Sequence, residues 1–327
     1  MLESFWCKNF RCFLDRHFVF DKNFTIINGK NGSGKTSILE GIYLSVRGKS
    51  FLTGKNSNLV KRGMEYFSLK TIFEGNEIKA FYSVKEGKRV LSLNGKMVSS
   101  GEISHTFPLF VFNGRLINAI RKDLVSLYKF FNIILSLYDR TYMKEYMEYK
   151  RALNEKRALL TSKTESDTIF SWNRIISFKS DEIRKKRILF VKKINSYLEG
   201  DISILYKIKD KKEEERLLFK REIEQGRILT GCHRDRFFIF KDNEDLRFFY
   251  SSGQQKNIFF KVIRAVGNVF FEKTGKNPVL LLDDFDSELD VDNLEECLKS
   301  VLNRFQIVLT TTDVRKFKTF NHSLIEL

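Results

Sequence analysis

An α/β fold built from both ends of the chain, with a helical arm inserted between them, is what the sequence predicts, and three observations predict it. Near the start, the apolar run Phe24-Thr25-Ile26-Ile27 leads into a glycine-rich loop and then an amphipathic segment. More than two hundred residues later, the wholly apolar run Val279-Leu280-Leu281-Leu282 ends in the pair Asp283-Asp284. Between the two, residues 120–225 contain no proline and a single glycine, Gly200.

Each element follows from its own pattern. Residues 24–27 read as a buried strand, and the helix after the glycine loop places Ile38, Leu39, Ile42 and Tyr43 on one face. Residues 67–73, 78–84 and 90–93 read as strands, with Asn94-Gly95 as a tight turn after the last of them. Residues 109–112 form another strand. In the middle segment, Tyr142, Tyr146, Tyr149, Leu153 and Leu160 recur at steps of three and four, with Lys156 off the pattern. Ile169, Trp172, Ile176, Ile183, Phe190 and Ile194 repeat that spacing, with Lys179 and Arg187 as lapses, and residues 161–167 make the turn between. Two antiparallel helices in a short hairpin are expected. The tyrosine stripe reads as core. The run Arg184-Lys185-Lys186-Arg187 covers about one helical turn, which fits a solvated face, or more sharply a DNA contact. The last part returns to alternation: a strand or strand end at 246–250, a helix at 254–271, a strand at 279–282, a helix at 294–302 and a strand at 306–310. The expected domains are thus a head from residues 1–119 and 226–327, and an arm from 120–225.

Composition narrows the function classes. Cys7, Cys12, Cys232 and Cys297 show neither CxxC pairing nor metal-ligand spacing, so they read as reduced thiols of a cytosolic protein. The N-terminal segment has no basic stretch followed by an apolar run, so no secretory leader is expected. The most apolar stretch, residues 124–138, is too short to span a bilayer. Net charge is +17. Residues 1–119 carry 18 basic and 9 acidic side chains, residues 120–225 carry 25 and 17, and residues 226–327 carry 15 of each. The excess fits a surface for a polyanion, with nucleic acid the default, and equally a solvated lysine-rich surface.

The chemistry rests on four short segments. Gly29-Lys30-Asn31-Gly32-Ser33-Gly34-Lys35-Thr36 satisfies G-x-x-x-x-G-K-[ST]. Its glycines let successive backbone N–H groups turn inward around phosphate oxygens, and the following helix adds its positive end. Lys35 is placed to reach the β- and γ-phosphates of ATP, and Thr36 to ligate Mg²⁺. Asp283, ending a strand, would hold the same Mg²⁺, and Asp284 would polarise the attacking water. Ser251-Ser252-Gly253-Gln254-Gln255 is, taken alone, a helix cap. Beside the other motifs it resembles the signature of ABC ATPases, in which Ser251, Gly253 and Gln254 would meet the γ-phosphate held by a second subunit. Ser287-Glu288-Leu289-Asp290 resembles the D-loop that crosses the same seam.

With these motifs in this order, the chain resembles the RecF family of recombination mediator ATPases, of the ABC/SMC class, along almost its whole length. Asn9-Phe10-Arg11, Leu39-Glu40-Gly41-Ile42, Gly48-Lys49-Ser50-Phe51, Thr230-Gly231-Cys232-His233-Arg234-Asp235 and Thr310-Thr311-Thr312-Asp313 fall in family order around the phosphate loop, Gly253-Gln254-Gln255 and Leu282-Asp283-Asp284. The family also carries Asp at the position of Asp284. Leu52 stands where the family usually has Arg, Cys232 replaces Pro, and the stretch from Asn113 to Asn132 departs from the family pattern. The resemblance implies an ABC-type P-loop ATPase head and a weak DNA-linked ATPase. It also implies ATP-dependent homodimers on duplex and gapped DNA, cytoplasmic location, and co-operation with RecR and RecO in loading recombinase. Two other classes compete. A nucleotide-gated DNA clamp with negligible hydrolysis is disfavoured by Lys35, Asp283 and Asp284. A transporter subunit is disfavoured by the long gap between Lys35 and Ser251, by Thr312 at the usual switch-histidine position, and by the basic insert.

Overall fold

The computed structural model describes residues 1–162, 167–209, 215–288 and 291–327. In chain order, the first part holds β1 (Leu2–Phe10), β2 (Phe13–Val19), β3 (Phe24–Asn28), α1 (Lys35–Arg47), β4 (Tyr66–Phe73), β5 (Asn76–Ser83), β6 (Arg89–Leu93), β7 (Lys96–Met97), α2 (Ser100–Thr106) and β8 (Leu109–Asn113). The middle holds α3 (Gly114–Lys122), α4 (Leu124–Tyr138), α5 (Arg140–Thr161), α6 (Asp167–Asn195), β9 (Ile202–Lys207), α7 (Glu215–Gln225), β10 (Arg236–Lys241), β11 (Glu244–Asp245) and α8 (Leu246–Phe249). The last part holds α9 (Ser252–Thr274), β12 (Val279–Asp283), α10 (Val291–Leu302), β13 (Gln306–Thr311) and β14 (Ser323–Glu326). The chain divides into two compact units, one of residues 1–118 with 251–327, the other of residues 119–250.

In the first unit, the described strands form two sheets. One is antiparallel, in the order β2-β1-β4-β5-β6-β7, and the other is parallel, in the order β14-β3-β13-β12-β8. The inner strands β3, β13 and β12 are nearly continuous apolar runs because both of their faces are covered, whereas the edge strand β14 is half exposed. Every residue of β12 and β13 is buried. Helix α1 lies in the core between the two sheets: Ile38, Leu39, Ile42 and Leu44 share one apolar cluster with Phe5, Phe18 and Leu69 of the antiparallel sheet and with Leu281 and Val308 of the parallel one. A Cβ at Gly41 would stand 2.3 Å from the Phe5 ring, so only glycine lets the helix come this close.

In the second unit, α5 and α6 run antiparallel. Lys179 pairs with Glu148 at 2.5 Å, and seven residues on Lys186 pairs with Glu145 at 2.6 Å, so the partners recede as the chain advances. Tyr142 and Tyr149 are buried, as the stripe predicts. Of the pattern lapses, Lys179 stays at the surface, whereas Lys156 and Arg187 are buried. Lys156 and Glu222, each 1% exposed, pair at 2.5 Å. Arg187 is wholly buried, donating to the hydroxyls of Tyr128, Tyr142 and Tyr206, to Asn132 Oδ1 and to the Cys232 carbonyl. Arg184 donates to both carboxylate oxygens of Asp235, at 2.9 and 3.1 Å.

These contacts correct two expectations. The basic run 184–187 is not one solvated or DNA-facing surface, since two of its four cations point inward. Residues 226–250, grouped with the head by sequence, fall in the second unit, because β10 pairs with β9 in the sheet β11-β10-β9. Residues 246–249 are a short helix rather than a strand: Asp245 caps it by accepting from Arg247 N. No described helix is long and apolar enough to cross a membrane.

Candidate functional site

The parallel sheet assembles the site at the carboxyl ends of its strands, where open α/β sheets place ligands. Register does the work. Leu282 lies opposite Leu309 and Ile27 opposite Thr310, which brings Asp283, Thr310 and the start of the glycine loop to one edge. Gly29 N donates to Thr311 O at 3.3 Å and anchors the loop to β13.

The loop is shaped for a phosphate. Gly34, at φ 106°, caps α1 with no side-chain hydrogen bond, and no acidic residue lies in the first turn. The first N–H groups of that helix therefore present their partial positive charge without a built-in anion. A Cβ at Gly34 would stand 2.6 Å from both Cys12 Sγ and a Phe13 ring carbon. Lys35 is buried and curls onto the loop, Nζ donating to Gly29 O at 2.6 Å and Lys30 O at 3.0 Å. Among the described residues, Ser33 Oγ and Asn28 Oδ1 are buried beside the loop with no hydrogen-bond partner. Of these two, the Ser33 hydroxyl is a donor, and an orphaned donor in the loop that holds the lysine fits an anionic ligand.

Opposite the lysine stands a hydroxyl and carboxylate group. Thr36 Oγ1 donates to Asp283 Oδ1 at 2.8 Å, and Thr310 Oγ1 donates to the same oxygen at 3.0 Å. Asp284 N donates back to Thr310 Oγ1 at 3.0 Å, and Asp284 takes the left-handed conformation, φ 50°. Burial pushes the Asp283 carboxyl above its usual range and the neighbouring Asp284 charge adds to this, against the hydrogen bonds from Thr36 and Thr310. A divalent cation would relieve that cost. The described residues contain no cluster of three or more His, Cys, Asp or Glu side chains able to hold a metal. Thr36 and Asp283, already paired, are the oxygen donors at this edge that could hold Mg²⁺ alongside phosphate oxygens.

A cavity of about 500 Å³ opens over these groups, lined among others by Asn31, Gly32, Gly34, Lys35, Thr36, Asp283 and Asp284. Seven predicted residues thus share one cavity, with Gly29, Lys30 and Ser33 in the loop beneath it. Ser251, Gly253 and Gln254 are not among its lining. Ser251 caps α9 in a reciprocal box with Gln254: Ser251 Oγ accepts from Gln254 N, and Gln254 Oε1 from Ser251 N at 3.0 Å. Of the D-loop, Leu289 and Asp290 lie outside the described residues. Two residues that the sequence offers only as members of family-ordered segments gain a place in the site. Thr310, whose hydroxyl joins the Asp283 carboxylate to the Asp284 backbone N–H, takes this role through strand register. Arg11 enters the lining from the β1–β2 turn, and Glu40 raises its affinity for its proton by hydrogen bonding.

Comparison with known proteins follows the same lines. The family model described as RecF/RecN/SMC N terminal domain matches residues 1–326. The chain is 29% identical over 340 residues to the DNA replication and repair protein RecF of Clostridium novyi, covering 94% of this chain and 93% of that protein. A solved structure of the recombination mediator protein RecF-ATPrS in the RecFOR pathway superposes with a TM-score of 0.84 at 26% identity, covering 97% and 93% of the two chains. The Smc head domain of Pyrococcus furiosus, at 16% identity, 97% and 90% coverage and a TM-score of 0.55, shares the fold.

Proposed function

This chain belongs to the RecF family, within the RecF/RecN/SMC N-terminal-domain class, and on that premise we propose that it is an ATP-dependent DNA-binding protein of recombinational repair and fork restart. The observation that carries the reading is the 2.8 Å bond between Thr36 and Asp283, which joins the phosphate loop to a strand end 247 residues away. A hydroxyl and a carboxylate converging beside a buried lysine is the constellation of a Mg²⁺–nucleotide site.

On this reading, the backbone N–H groups from Gly29 to Gly34 cradle phosphate oxygens, with Lys30, Asn31 and Ser33 shaping the loop. Lys35 exchanges its two loop carbonyls for the β- and γ-phosphates. Thr36 and Asp283 hold the metal. Bound Mg²⁺ supplies charge neutralisation on the phosphates. Asp284 accepts a proton contact from the attacking water and orients it; a carboxylate one methylene shorter than Glu reaches less far, so turnover is slow. Ser251, Gly253 and Gln254 act on the nucleotide of a second copy, which is consistent with their standing outside the cavity of their own chain. The dimer so closed binds duplex and gapped DNA, with RecR and RecO as the expected partners in loading recombinase.

Titration of ATP with and without Mg²⁺ tests the site. Asp283→Asn should remove most of the tightening that Mg²⁺ brings, while metal-free ATP binding stays within about threefold, under 1 kcal/mol. Equal Mg²⁺ dependence in both proteins would refute the assignment.

A further inference from the structure

Glu40 is a carboxylate with no solvent exposure, in the second turn of the phosphate-loop helix, and it does not line the cavity. Its oxygens are nevertheless committed to the cavity wall. Oε2 accepts from Arg11 Nε at 2.7 Å and Oε1 from Arg11 Nη2 at 2.8 Å, a bidentate clamp, and Oε1 also accepts from Ser50 Oγ. From there two hydrogen-bonded paths converge. Arg11 Nη1 donates to Asn58 O at 3.0 Å. Ser50 Oγ accepts from Leu52 N and Thr53 N, and Thr53 Oγ1 accepts from Lys55 N at 3.2 Å and from Asn58 Nδ2 at 3.4 Å. Arg11 N to Leu59 O and Lys61 N to Asn9 O, both 2.8 Å, zip the same two segments together. Arg11, Cys12, Asn58 and Val60 are the lining supplied by the β1–β2 turn and residues 50–61, apart from the phosphate loop, α1 and the parallel strands.

We propose that Glu40 is a positioning residue for the nucleoside part of the nucleotide. The inference rests on the reading of this cavity as an ATP site. The loop amides, Lys35 and Thr36 account for phosphates and metal, and a triphosphate with its sugar and base is longer than that loop. The remaining wall offers what a nucleoside takes: the planar guanidinium of Arg11, which stacks on rings and keeps N–H groups beyond the three used above, and the apolar flank of Val60. Two segments outside the sheets and α-helices, the β1–β2 turn and residues 50–61, are held against α1 in this wall, and Glu40 is the group to which both are tied. Removing it leaves the half-buried Arg11 guanidinium without its buried acceptor, so the wall loosens while the loop, built by β3 and the α1 N-terminus, stays.

Paired titrations separate this role from a general structural one. The probes are ATP and inorganic tripolyphosphate, each with Mg²⁺, against the full chain and the variants Glu40→Ala, Glu40→Gln, Ser50→Ala and Lys35→Ala, with cooperative melting as the check on folding. Glu40→Ala should weaken ATP binding by about tenfold or more, the equivalent of one lost charge-assisted contact, and leave tripolyphosphate within about threefold. Glu40→Gln, which keeps an acceptor oxygen, should fall between. Equal weakening of both probes, or of neither, would overturn the proposal. If Glu40→Ala fails to fold, Ser50→Ala decides: a smaller but still ATP-selective loss supports the proposal, and an unselective one overturns it. Lys35→Ala should weaken both probes. If it weakens neither, the nucleotide reading falls, and this inference with it; if it weakens both while Glu40→Ala is unselective, the inference alone falls.

Discussion

Replacing single glycines of the phosphate loop by alanine separates backbone strain from collision. Gly34 and Gly32 both lie in the left-handed region, at φ 106° and 84°. For either, an L side chain costs about 1–3 kcal/mol of conformational strain. Either change also restricts the unfolded chain, which returns about 0.4–1 kcal/mol. The two differ in space. Nothing lies within 4 Å of a Cβ at Gly32, whereas one at Gly34 meets Cys12 Sγ and a Phe13 ring carbon, both at 2.6 Å. Phe13 is buried in the core cluster and cannot swing away, so the Gly34 variant adds an overpacking term of about 1–3 kcal/mol. Equilibrium urea unfolding without nucleotide should place Gly34→Ala about 1–3 kcal/mol below Gly32→Ala, with a matching fall in midpoint and no change in slope. Variants that agree within about 0.5 kcal/mol would refute the tight packing of the loop against the β1–β2 turn.

Other predictions follow from burial and charge. Lys156→Met strands the Glu222 carboxylate in the interior and should cost about 3–5 kcal/mol, against under about 1 kcal/mol for Lys179→Ala, whose partner Glu148 is solvated; equal effects in thermal melts would contradict the burial of the first pair. Glu222→Gln added to Lys156→Met should recover part of that loss, because the amide oxygen still accepts from Leu229 N, which Glu222 Oε1 does at 2.7 Å. Ser251→Arg should abolish ATP-induced dimers in sedimentation while ATP binding by the monomer persists; dimers that survive would remove the trans role. DNA affinity should fall steeply as salt rises, since each phosphate contact releases counterions, and a flat response would exclude a backbone-tracking surface.

The ends of the chain were more legible than its middle, for a physical reason. Residues 279–282 and 24–27 lie in a parallel sheet covered on both faces, so their sequence is apolar throughout and the motifs that follow them sit at strand ends. The middle is stabilised by long-range polar pairs that no local pattern reports. Lys156 breaks a helical stripe in sequence, yet its partner is 66 residues away and equally buried. Arg187 looks like part of a basic surface run until Tyr128, Tyr142, Tyr206 and Asn132 are seen to surround it. Strand β9 hides in a stretch read as helical, because its pairing partner β10 lies about thirty residues further on. Within the site, Lys35, Thr36, Asp283 and Asp284 carry motif signals. Thr310 and Glu40 stand only inside segments that fall in family order, and their roles lie in register and in second contacts rather than in spacing.

The central claim is that nucleotide at this site governs DNA binding, and one measurement tests it most directly. Duplex DNA affinity of the purified chain would be measured with and without ATP and Mg²⁺, with oligomeric state followed in the same samples. Dimers that appear only with ATP and Mg²⁺, together with tighter DNA binding, are the predicted result. Nucleotide binding that leaves the chain monomeric and its DNA affinity unchanged would contradict the account.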